Sequence, residues 1–223
     1  MKITDRMTNK VKTILRSKLS GSFMKDKQCA LLTNNCLGGF LYHDWGMNFV
    51  TPIINLQMDN NTFIRFCEAL PESLNWEIKE LNIEDRKFYS RFDREDNPFP
   101  VGEFEGGQGL IYFQHYHSFS EAISSWERRC MRFKKWLEEG KDVNVVLTCA
   151  HYTKKEQVDF FGLPFSKKLI LVENGLEESE GIFSIRNIAY GKAWFDFCPG
   201  LTTKRYYDQF DFVHWVTAYK NGQ

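Results

Sequence analysis

The chain has 223 residues, 43% of them hydrophobic and 16% aromatic, enough apolar area to build one substantial core and to exclude a disordered tail. Its 29 basic and 29 acidic side chains cancel, so no overall field draws the protein to nucleic acid. Cys29, Cys36, Cys67, Cys130, Cys149 and Cys198 stand singly with no CxxC pair, which excludes a disulfide framework, and no stretch reads as a secretory signal or a transmembrane span, so a cytoplasmic, reducing setting is expected.

Thr4–Ser20 reads as an amphipathic helix, with Met7, Val11, Ile14 and Leu15 on one stripe and Lys10, Lys12, Arg16 and Lys18 around the rest. Such a helix either docks on its own domain with a solvated basic back or makes peripheral contact with an anionic membrane. Gln28–Thr33 is a short apolar run of buried-strand type, and Gly38-Gly39 leads from it into a helix starting near Phe40. Thr51–Leu56, β-branched and apolar behind Pro52, predicts a second strand, and Asn60 or Asn61 can cap a helix that turns Phe63, Phe66 and Cys67 inward. Mixed charge from Glu77 to Asn97 predicts a solvated connection. Gly109–Tyr116 then reads as a strand with apolar residues on both faces. Ser118 or Ser120 caps the clearest helix, marked by Ile123, Trp126, Cys130, Phe133 and Leu137 and stopped at Gly140. Strands at Val143–Cys149 and Lys168–Val172 flank a short helix at Lys154–Phe160, and Tyr206–Tyr219 can be helical with Phe210, Val213 and Thr217 inward. Alternating strands and helices predict a single α/β domain over 1–223, three-layered, with a mostly parallel or mixed central sheet flanked by helices. Within it, 1–27 holds the basic helix, 28–173 the core, and 174–223 a C-terminal extension.

The turn Asn34–Gly39 follows a strand and opens a helix, the place where open α/β sheets bind ligands. Gly38 and Gly39 allow close approach, unpaired amides at a helix start attract an anion, and the same dipole gives Cys36 thiolate character. The alternative is that Asn34 or Asn35 caps the helix, the glycines permit the turn, and Cys36 is a small buried hydrophobe. His115 and His117 are spaced to share a metal with His43 or Asp44, but such pairs arise often by chance. His115 alone as a general base, with no metal, is the expectation. Arg128, Arg129 and Arg132 either form a solvated face or send one guanidinium toward the ligand. No G-x-S-x-G elbow and no Asp-x-Asp pair is present, and the residues name no cofactor.

Thr33–Phe40 with Tyr42 and Gly46, then Thr51–Leu56, Phe99–Gly102, His115-Tyr116, Glu121-Ala122, Trp126, Arg128-Arg129 and Leu163–Phe165 resemble, in order, an uncharacterised bacterial family, domain of unknown function 1919, often described as exopolysaccharide biosynthesis proteins. The resemblance spans Leu31 to Val172. It implies an α/β protein that makes or decorates a surface polysaccharide, as a glycosyl, acyl or phosphoryl transferase on an activated sugar or anionic donor, or as a non-catalytic saccharide-binding or scaffold module. Carried over by position, the site residues are Asn34, Asn35, Cys36, Gly38, Gly39, Tyr42, His115, Tyr116, Trp126 and Arg129, with a sugar or phosphorylated sugar as partner. Cys36, Asn35 and His115 take the catalytic roles. Tyr42, Trp45 and Tyr116 would stack on a saccharide in the binding module. Leu37 stands where many relatives carry Trp, a departure that changes the substrate if that side chain forms a stacking wall.

Overall fold

Four strands whose side chains are buried on both faces make the centre of the computed structural model, which describes residues 28–82, 99–173, 179–185 and 206–218 together with Gly21 and Met24. They are β1 (Ala30–Thr33), β5 (Val143–Cys149), β6 (Lys167–Glu173) and β7 (Ile182–Ile185), all parallel and in the order β1-β5-β6-β7. Because side chains alternate along a strand, Ala30, Leu32, Val145, Leu147, Ile170 and Val172 feed one core layer, while Leu31, Val146, Leu169 and Leu171 feed the other. Helices α2 (Asn60–Glu68), α3 (Phe119–Glu138) and α4 (Lys154–Gly162) cover the first face. Helix α1 (Leu37–Asp44), Tyr206, Tyr207 and α5 (Phe212–Thr217) cover the second. The result is the expected three-layer α/β domain. No described helix is long and apolar enough to cross a membrane. The Thr4–Ser20 segment, for which peripheral membrane contact was one expectation, residues 83–98 and Cys198 lie outside the described residues.

Helix ends follow local chemistry. Ser118 accepts from the Glu121 amide at the start of α3, and Thr153 and Glu156 cap α4 reciprocally. At α2 the cap is Asp59, which accepts from Thr62 N, rather than Asn60 or Asn61. The tail turns inward through Tyr206, Tyr207 and Phe212, while Phe210, Val213 and Thr217 are only half-buried.

A second, antiparallel sheet of β2 (Ile78–Glu80), β3 (Val101–Phe104) and β4 (Gly109–Tyr112) packs on the first layer through Phe104 and Ile111. The strand expected over Gly109–Tyr116 ends at Tyr112. Phe113 N still reaches Pro100 O, but Pro100 has no N–H to return, so the ladder stops and the chain turns through His115. Thr51–Leu56 is likewise not a strand. Pro52 donates nothing, Ile54 N bonds back to Pro52 O, and Asn55 sits at φ 61, so the segment is a buried irregular loop. Asparagine tolerates that left-handed conformation better than most residues.

This loop joins the two sheets. Gln57 exchanges both backbone bonds with Tyr112 of β4 at 2.9 Å, and the next residue, Met58, donates to Asn34 O just beyond β1 at 2.8 Å.

Candidate functional site

The chain after β1 is held by its own side chains. Thr33 Oγ1 donates to Asn35 O at 2.7 Å and accepts from Gly38 N at 3.1 Å, while Asn35 Oδ1 accepts from Leu37 N at 3.0 Å. Asn35, one residue before the N-cap Cys36, thus satisfies the first helical amide, and two of the helix's first amides, which were expected to be open to an anion, are already bonded. Gly38 and Gly39 are needed for close approach. A Cβ on Gly38 would stand 2.9 Å from Thr33 Oγ1, and one on Gly39 3.3 Å from Asn55 Oδ1 and 3.4 Å from Ile54 Cγ2.

Several residues expected to touch ligand belong to this framework instead. Asn34 exchanges two bonds with the Thr148 backbone, Nδ2 to O at 3.0 Å and N to Oδ1 at 2.9 Å, extending the β1–β5 pairing by one step with a side chain. Tyr42 is fully buried. Its hydroxyl accepts from Leu31 N at 2.8 Å and donates to Cys29 O at 3.3 Å, and Thr51 Oγ1 donates to Leu31 O at 2.9 Å. Together they satisfy the open edge of β1. Trp126 lies in the core with ring centroids 5.7 Å from Phe66 and 6.0 Å from Phe104, and Leu37 is buried against the second face. Neither forms a stacking wall.

The remaining residues converge. Cys36 Sγ lies 3.3 Å from His115 Nε2, joining the turn after β1 to the turn after β4 across 79 residues of sequence. Tyr116, next to His115, lies 5.9 Å from the Arg129 guanidinium carbon, and Arg129 Nη1 donates to Ile54 O at 2.8 Å. Ile54 and Asn55 press on Gly39, three residues from Cys36, so the contacts close into a circuit. Asn35 Nδ2 is buried inside this region with no hydrogen-bond partner. Thr33, Thr51 and Asn55 also shape the site, and sequence reasoning passed over them. The strand-end threonine and the asparagine after Ile53-Ile54 were the available signals.

The thiol is not activated at rest. Cys36 is 3% exposed, and burial pushes its pKa from the ordinary 9.0 to about 12, the reverse of the lowering expected from the helix start. His115 is exposed on one side, and burial of the other lowers its pKa below 6.5, so both partners are neutral near pH 7. Among the described residues no three of His, Cys, Asp and Glu gather as a metal requires. Of the two alternative third ligands, Asp44 is buried and accepts from Tyr207 Oη at 3.0 Å, and His43 is exposed.

Residues 6–217 match the family described as Domain of unknown function (DUF1919). The chain belongs to this family. The match is longer than the Leu31–Val172 resemblance and covers most of the described fold. An uncharacterised protein of Haemophilus influenzae (strain ATCC 51907 / DSM 11121 / KW20 / Rd) is 26% identical over 188 residues, covering 83% of this chain and 82% of that protein.

Proposed function

We propose that this DUF1919 chain is a cysteine-dependent group transferase that makes or decorates a surface polysaccharide, passing a glycosyl, acyl or phosphoryl group from an activated donor to an acceptor. The observation that carries this reading is the 3.3 Å approach of Cys36 Sγ to His115 Nε2. In the Nδ1–H tautomer the thiol donates to His115 Nε2. Attack of Sγ on the donor forms a bond from sulfur to the transferred group and breaks the bond to the leaving group. The thiol proton passes to His115 and then to the leaving group. An acceptor hydroxyl next attacks the enzyme-bound group, its proton returns through His115 to sulfur, and free Cys36 is restored. A neutral thiol beside a neutral imidazole suits this order, in which the proton moves as the bond forms. Asn35 Nδ2, a buried donor without an acceptor, is suited to the charge that develops near Cys36.

The polysaccharide setting comes from the family resemblance. The competing reading, a non-catalytic saccharide-binding or scaffold module, relied on Tyr42, Trp45 and Tyr116 as stacking rings, and all three are buried. The test is intact-mass spectrometry after incubation with nucleotide sugars, sugar phosphates and coenzyme A thioesters. A mass gain mapped to Cys36, and absent in Cys36→Ala and His115→Ala, identifies the donor class. If no adduct forms and folded Asn35→Ala and His115→Ala variants sustain full polysaccharide output in cells, the transferase reading fails.

A further inference from the structure

We infer that Arg129 is an anion subsite, holding a carboxylate or phosphate on the molecule presented to Cys36. Arg128 and Arg132 on the same helix are exposed, but Arg129 turns inward and is only 7% exposed. A guanidinium carries five N–H donors and keeps its charge at any physiological pH. Here one donor reaches Ile54 O at 2.8 Å and the planar group stands over Tyr116, yet no carboxylate lies within ion-pair distance of Arg129 among the described residues. A charge removed from water without a counter-ion is among the costliest groups a protein can bury, and one carbonyl plus a ring face offset only part of that cost.

Its position connects the unbalanced charge to the site. Arg129 is anchored to Ile54, the residue before Asn55, and the side chains of both stand against Gly39 in the first turn of α1, while the guanidinium faces the ring next to His115. Two of the first amides of α1 are bonded to Asn35 and Thr33, so they do not compete for the anion. The planar fork matches the paired oxygens of a carboxylate or phosphate. The inference rests on the transferase reading only in calling this ligand the donor. Anion binding stands by itself.

The experiment uses the purified full chain as wild type, Cys36→Ala, Arg129→Lys and Arg129→Gln. Melting temperature is followed against acetate, inorganic phosphate, glucuronate and glucose 1-phosphate at fixed ionic strength. A saturable rise is expected in wild type and Cys36→Ala, weaker in Arg129→Lys and lost in Arg129→Gln. The arm that saturates at the lower concentration distinguishes sugar acid from sugar phosphate. A non-specific effect of phosphate on stability would persist in Arg129→Gln. No saturable rise with any anion, or an equal rise in Arg129→Gln, overturns the subsite.

Should Arg129→Gln not fold, peptide-resolved alkylation of wild-type Cys36 replaces it. Iodoacetate, which carries a carboxylate, should gain roughly tenfold over neutral iodoacetamide relative to their ratio on free cysteine. An unchanged ratio overturns the subsite. Saturable anion binding with no Cys36 adduct and with full polysaccharide output from folded Asn35→Ala and His115→Ala would refute the transferase and leave the subsite intact, and an adduct without anion binding would do the reverse.

Discussion

Thr33→Val isolates the hydroxyl that organises the turn, because valine keeps the shape of threonine and removes only the polar group. In the native protein that hydroxyl donates to Asn35 O at 2.7 Å and accepts from Gly38 N at 3.1 Å, and Thr33 is fully buried. The substitution leaves one buried acceptor and one buried donor unsatisfied, at about 1–3 kcal/mol each, so a loss of about 4 kcal/mol is expected. Domains of this kind hold about 5–15 kcal/mol, so the variant still folds. At about 2–4 °C per kcal/mol for a chain of this size, the melting temperature falls by roughly 8–16 °C. Urea unfolding followed by circular dichroism measures the same loss as a shift in midpoint at unchanged slope. Thr33→Ser keeps the hydroxyl and gives up one methyl, so it should lose only about 1 kcal/mol. A valine variant within 1 kcal/mol of wild type, or a serine variant as unstable as valine, refutes the account of the turn.

Gly38→Ala drives a methyl to 2.9 Å from a Thr33 oxygen that its two hydrogen bonds hold in place, and unfolding should register a loss of about 1–3 kcal/mol. With its pKa near 12 instead of 9.0, Cys36 at pH 8 has a thiolate fraction of roughly 10⁻⁴ against about 0.1, so iodoacetamide should label it roughly a thousandfold more slowly in the native chain than in urea. Equal rates would refute the buried neutral thiol. The native state keeps a proton that the unfolded thiol sheds above pH 9.0, so stability declines as pH rises from 9.0 toward 12, and the decline is shallower in Cys36→Ala. For His115 the sign is opposite. Its folded pKa lies below 6.5, the unfolded chain takes the proton first as pH falls, and stability drops below pH 6.5 until the folded group is also protonated, a slope that His115→Gln should flatten. The same neutral base predicts transfer activity that rises to a plateau through an apparent pKa below 6.5, and activity greatest on the acid side of that pKa would rule it out.

The parts of the fold that could be read in advance carry their cause locally. Helix α3 announces its stripe, its Ser118 cap and the Gly140 stop at φ 65, and β5 and β6 are short segments dominated by β-branched and other apolar residues. Strands β2 and β7 escaped notice because Ile78–Glu80 is largely solvated and Ile182–Ile185 is too short to show a period. Thr51–Leu56 has strand composition, but Pro52 lacks an N–H, Ile54 N is spent on Pro52 O, and Asn55 at φ 61 leaves the strand conformation. At the site, Cys36 and His115 were identifiable by chemical type, while their meeting depends on how two sheets dock. Tyr42, Trp126 and Asn34 look like ligand residues until burial gives them a partner in the protein, a β1 edge, an aromatic cluster and the Thr148 backbone respectively. The direction of the thiol shift is a property of the finished interior, and no short motif encodes it.

Gln57 and Met58 hold the antiparallel sheet with one residue and the turn after β1 with the next. The thiol and the imidazole arrive on different pieces of the fold, and these adjacent residues gauge the gap between them. A chain that has formed either sheet alone keeps Cys36 and His115 apart. The contact between Cys36 and His115 is thus a late product of folding, and any chemistry that needs the two together waits for both sheets to dock.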